Sequence, residues 1–93
     1  MGQNCITTYI VTLEYIPSSS VLQDVIDINL FKEGFSKIIT DSHGIPHSLK
    51  SGVYAITSTS SQSDIEIMTK AIYQNITGTE SGLKIESRDD YFS

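Results

Sequence analysis

Ninety-three residues with 39% apolar and 18% charged side chains make one small globular domain, too apolar for disorder and too short for a second core. The formal charge of −5, from 11 acidic against 6 basic residues, opposes non-specific attraction to a polyanion. Cys5 is the only cysteine, so no intrachain disulfide forms; no stretch reaches the ~20 apolar residues of a membrane span, and no secretory leader and a cytoplasmic location are expected.

After a short lead-in over residues 1–4, the first strand is expected over about residues 5–16, centred on Thr8-Tyr9-Ile10-Val11-Thr12-Leu13-Glu14-Tyr15. Aromatic and β-branched residues fill this stretch. Alternation puts Tyr9, Val11, Leu13 and Tyr15 on one face and Thr8, Ile10, Thr12 and Glu14 on the other. That pattern suits the middle of a sheet with helices on one side. Pro17 ends the strand, and Ser18, Ser19 and Ser20 offer N-cap hydroxyls. A helix over about 19–33 follows, with Val21, Leu22, Val25, Ile26, Asn29 and Leu30 inward, Asp24 and Asp27 solvated, and Gly34 at C′.

Phe35 to Thr40 reads as a second strand, with Phe35, Lys37 and Ile39 pointing one way and Ser36, Ile38 and Thr40 the other. Turn formers crowd Asp41-Ser42-His43-Gly44-Ile45-Pro46, with positive φ expected at Gly44, and a second turn falls at Ser51-Gly52. Val53 to Ser58 is the third strand, joined to the second by a long hairpin with an irregular tip. Ser63-Asp64-Ile65-Glu66 is a capping box opening a helix over about 64–76, with Ile65, Met68, Ile72, Tyr73 and Ile76 inward. Leu83 to Ser87 forms the fourth strand, and Arg88 to Phe92 closes the chain. The order β-α-β-β-α-β predicts a ferredoxin-like α+β domain over residues 1–93: a four-stranded antiparallel sheet, strands one and three central, both helices on one face.

No Gly-rich phosphate loop, zinc-ligand spacing or Ser-His-Asp signature occurs in the chain. Gly44 and Pro46 between His43 and His47 prevent a helix from aligning the two imidazoles, so no metal site is expected. A histidine in an exposed loop is still a usable acid–base group. Glu14, near the end of the central strand, is either a buried acid or a solvated or dimer-facing carboxylate; Asp89-Asp90 reads as a solvated pair. Tyr9, Phe35 and Tyr54 either pack in the core or stack on unpaired bases, and Lys37, Lys50, Lys84 and Arg88 either solvate the surface or gather at one sheet edge.

Several stretches together resemble the GhoS family, the antitoxins of type V toxin–antitoxin systems. They are Thr8-Tyr9-Ile10-Val11 with Glu14 and Tyr15, Pro17-Ser18-Ser19, Phe35-Ser36, Gly44-Ile45-Pro46 with Leu49, Ala55-Ile56-Thr57, and Asp89-Asp90-Tyr91-Phe92. The resemblance spans nearly the whole chain. It implies a ferredoxin-like fold and an endoribonuclease that cleaves the messenger of a small membrane-damaging toxin peptide. The family's activity-linked arginine on the first helix falls at Asp27, a charge reversal, and its basic residue after Gly-Ile-Pro falls at His47; Tyr54 keeps the aromatic class of its third strand.

Cleavage of RNA without metal or other cofactor needs a base for the 2′-hydroxyl and an acid for the leaving oxygen. His47 and Glu14, with His43 as a further candidate, are the expected catalytic groups; Tyr54, Lys37, Lys50 and Arg88 are the expected contacts to single-stranded RNA. The alternative is a non-catalytic member that binds RNA or a protein partner, which the acidic balance and Asp27 favour. Exposed strand edges make a homodimer reasonable under either reading.

Overall fold

The computed structural model describes residues 6–92; the expected lead-in and the strand start at Cys5 lie outside them. The elements are β1 (Thr7–Leu13), α1 (Ser20–Lys32), β2 (Ile38–Thr40), β3 (Pro46–Ser48), β4 (Val53–Ser58), α2 (Gln62–Thr77), β5 (Leu83–Ser87) and α3 (Arg88–Phe92). β1 is central in a three-stranded antiparallel sheet of order β4-β1-β5. Val11 lies opposite Tyr54 on one side and Ile85 on the other. The first expected strand does pair with the third, as the apolar patterning indicated.

The expected four-stranded sheet is not what forms. The second strand divides at a bend on Lys37: Ser36 makes a single antiparallel bridge to Ala55, while residues 38–40 pair with 46–48 as a separate two-stranded ladder. The bend reverses the alternation, so that Phe35 is buried in the cluster under the helices and Ile39 in a cluster on the opposite face. The architecture is a mixed α and β domain with three helices, a three-stranded sheet and a two-stranded sheet.

Two apolar clusters sandwich the central sheet. On one face Val11, Leu13, Tyr54 and Ile56 meet Ile26 and Leu30 of α1 and Ile65 and Tyr73 of α2. On the other, Ile10, Val53 and Ala55 are covered by Ile39 and Leu49 from the hairpin region, with Tyr91 of α3 packed against them. The patterning had left that second face to Thr, Ile and a carboxylate. The hairpin and the short helix cover it because Ile10 and Ala55 are apolar and each strand has two faces.

Serine hydroxyls set the helix starts. Ser19 Oγ accepts from Leu22 N at 3.3 Å, and Ser61 Oγ accepts from Asp64 N at 3.2 Å, so α2 begins two residues before the start expected from Ser63. α1 is rotated from its expected face: Ile26 and Leu30 are buried, Asp27 is half-buried, and Val21 and Ile28 are 68% and 53% exposed. Gly52 has φ +79°, a left-handed backbone that favours glycine at this turn before β4.

Candidate active site

The hairpin is organised by one carboxylate. Asp41 Oδ1 accepts from the amides of His43 at 2.8 Å and Ile45 at 3.0 Å, and Gly44 takes φ +80° to close the loop. The other oxygen, Oδ2, lies 2.8 Å from His47 Nε2. These three hydrogen bonds, led by the one to His47, hold the Asp41 carboxyl below its ordinary range. A carboxylate accepts only, so the neutral imidazole donates from Nε2 and leaves its Nδ1 lone pair as a base.

His47 is placed by pairing as well as by Asp41. It lies opposite Ile39 in the β2–β3 ladder, and Ile39 is buried in the second-face cluster, so both side chains point toward the sheet. There the imidazole meets the Phe92 ring at 5.1 Å between centroids, and Phe92 in turn meets Tyr91 at 5.2 Å. The His47 side chain remains 44% exposed. It is therefore oriented on two sides and reachable from solvent.

Glu14 is not brought to this histidine. It follows β1 as an exposed residue, and its carboxylate lies where a Cβ on Gly82 would be. Its backbone amide donates to the Gly82 carbonyl at 2.9 Å, which ties it to the loop before β5. His47 stands on the hairpin instead.

Tyr54, expected as a stacking platform, is 3% exposed. Its ring meets Phe35 edge-on at 6.5 Å, the Lys37 ammonium lies 4.4 Å from its centroid, and its hydroxyl donates to Asp27 Oδ1 at 2.5 Å. Neither face is open to a base. Burial first, then the hydrogen bond to Asp27 and its charge, raise the phenol well above its ordinary value. The cleft beside Asp27, Lys37 and Tyr54 is about 60 Å³, space for a few waters and not for a nucleotide.

The expected cations divide by use. Lys37 Nζ donates to the carbonyls of Lys50 and of Val53, the latter at 2.6 Å, and burial lowers its pKa despite the opposing effect of Asp27. Its charge fastens the bend and the turn before β4. Lys50 is exposed on that turn. Arg88 begins α3 and lines a groove with β1, β2 and β4, on the same side of the sheet as His47.

Asp41 and Phe92 are the members of this site that sequence reasoning passed over. Asp41 was legible as a turn former, since Asp-Ser-His-Gly is the pattern of a side chain bonding the amide two residues on. Its second bond to His47 depends on the register that sets Thr40 opposite Pro46.

A histidine held by a carboxylate and the chain's one arginine thus stand on the same face of the sheet. The family model described as Endoribonuclease GhoS matches residues 1–93, the whole chain. The protein belongs to the GhoS endoribonuclease family.

Proposed function

We propose that this protein is the antitoxin of a type V toxin–antitoxin system, an endoribonuclease cutting the messenger of a small membrane-damaging toxin peptide in the cytoplasm. The observation that carries the chemistry is the 2.8 Å contact between His47 Nε2 and Asp41 Oδ2. His47 Nδ1 takes the proton of a ribose 2′-hydroxyl, and Asp41 steadies the imidazolium that forms. The 2′-oxygen bonds to phosphorus, the phosphorus–5′-oxygen bond breaks, and the 5′-oxygen leaves with a proton from solvent. The products are a 2′,3′-cyclic phosphate and a free 5′-hydroxyl. No metal or other cofactor is required by this route.

The family match over residues 1–93 supports the RNA substrate. Among the described residues no helix is long and apolar enough to cross a membrane. The ferredoxin-like reading is supported as a reduced form: the β4-β1-β5 core carries the expected order, and the single Ser36–Ala55 bridge stands in for the fourth strand. Val21 and Ile28, exposed on α1, support a homodimer.

The test incubates purified protein with single-stranded RNA from the message of a neighbouring reading frame that encodes two spans of ~20 apolar residues. Cutting that persists in EDTA, leaves cyclic phosphate ends and is lost in His47→Ala with the fold retained supports the proposal. Chelator-sensitive cutting would overturn the mechanism. Failure of the parent to cut its cognate message would favour a non-catalytic RNA- or protein-binding role, the reading that the charge of −5 and Asp27 support.

A further inference from the structure

The acidic chain has only six cations with which to hold RNA, and three of them are occupied. Lys37 is spent on backbone carbonyls, Lys70 pairs with Glu66 at 2.9 Å, and Lys84 lies 3.8 Å from Glu86. Arg88 is the chain's single arginine, and among the described residues it has no ion-pair partner. It lines a groove of about 270 Å³ between β2 and the face of β1 and β4, together with Thr8, Ser36, Thr40 and Thr57. That space is several times the cleft at Asp27.

The groove's polar atoms suit an anion. Thr8 Oγ1 and Thr57 Oγ1 are 2.8 Å apart. Only one of the two hydroxyl hydrogens is used in that contact, which leaves the other free to donate. Thr40 is exposed, and its hydroxyl has no hydrogen-bond partner among the described residues. Asp89 lines a second groove beyond Arg88, with Ile6, Thr7, Thr8 and Ser87, and its carboxylate repels phosphate from that side. An anion is therefore directed to the hairpin side of the arginine.

α3 connects this groove to the dyad. Arg88 and Phe92 are four residues apart on one helix, ~5–6 Å between Cβ atoms, and Phe92 packs on His47. We infer that the groove between β2 and the β1–β4 face seats a backbone phosphate of the RNA beside the scissile one, whose attacking 2′-hydroxyl gives its proton to His47, with Arg88 as its cation and the threonine hydroxyls as donors. This rests on the nuclease reading for the identity of the chain bound. The guanidinium meets two phosphate oxygens in a fork, which a lysine cannot match.

The experiment measures fluorescence anisotropy of a labelled single strand from the toxin message, with every binding variant carrying His47→Ala to prevent cutting. Adding Arg88→Ala should weaken binding about tenfold and reduce the log–log salt slope by about 0.7, the value of one phosphate contact on a single strand. Arg88→Lys should recover part of the affinity and all of the slope. Thr40→Glu places a carboxylate in the groove without touching the arginine, and should weaken binding at least as much. Circular dichroism checks that these exposed positions leave the fold intact. Affinity and slope unchanged in both Arg88→Ala and Thr40→Glu would overturn the groove. Loss of cutting in His47→Ala beside normal binding by both Arg88→Ala and Thr40→Glu keeps the nuclease reading and removes the groove. Weaker binding by Arg88→Ala in a protein whose parent cuts nothing keeps the groove and removes the nuclease reading.

Discussion

The hydroxyl of Tyr54 donates to Asp27 Oδ1 at 2.5 Å, joining the middle of β4 to α1 beneath the helix-covered face of the sheet. This pair turns α1 so that its aspartate faces inward and Val21 outward. Burial and the carboxylate keep the phenol protonated well beyond its ordinary range near pH 10. The unfolded tyrosine ionises at about pH 10, so above that pH the folded state holds a proton that the unfolded state has lost. Stability must therefore fall with rising pH, by about 1.4 kcal/mol for each unit contributed by this one group. Tyr54→Phe should show a shallower alkaline loss than the parent in denaturant melts between pH 9 and 11. Parallel curves would show that the hydroxyl is not protected.

Near neutral pH the same Tyr54→Phe change removes a hydrogen bond to a charged group, a loss of about 1.5–3 kcal/mol. Asp27→Asn keeps an acceptor for the phenol and should be the milder change. Urea melts of the two variants would rank them, and equal losses would mean that the charge of Asp27 matters more than its oxygen.

Val11 is fully buried at the centre of the sheet, opposite Tyr54 and Ile85. A carboxylate there has neither water nor a partner, and the cost exceeds what a domain of ~5–15 kcal/mol can carry. Val11→Asp should abolish the cooperative melt seen by circular dichroism. A melt within a few degrees of the parent would show that Val11 faces solvent.

The elements with a sustained period were legible from residue type. Val11 and Leu13 alternate against Ile10, Ile65 and Tyr73 keep helical spacing, and both sets are buried where the pattern put them. The strand from Phe35 to Thr40 was legible only in part. Its alternation is regular in sequence, yet Phe35 and Ile39 enter clusters on opposite faces because the chain bends at Lys37. Nothing local marks that bend, which is fixed by carbonyls of residues 50 and 53. Asp27 looked solvated because acidic residues usually are, and its partner lies 27 positions away. Arg88 to Phe92 spans too few residues for a period to show.

Lys37→Met isolates the bend. The thioether keeps most of the stem's packing but loses two hydrogen bonds and the cation over the Tyr54 ring. Because the lysine is only half-buried, a loss of about 1–3 kcal/mol is expected. RNA affinity at fixed temperature should change little, since this charge is turned inward. A large drop in the salt dependence of binding would show instead that Lys37 reaches the RNA.

Asp41→Asn tests the dyad without emptying it. The amide oxygen can still accept from the His43 and Ile45 amides, but the charge that steadies the imidazolium is gone. If His47 is the base, kcat should fall about tenfold or more while KM stays near the parent value, and His47→Ala should fall further. The carboxyl of Asp41 is held below its ordinary range, so its stabilising contribution is present above about pH 4 and fades as pH falls further. Thermal melts of parent and Asp41→Asn should therefore differ at pH 6 and converge at the acid end. A KM effect without a kcat effect would make Asp41 an anchor for the hairpin alone. An unchanged rate in both variants would place the chemistry elsewhere.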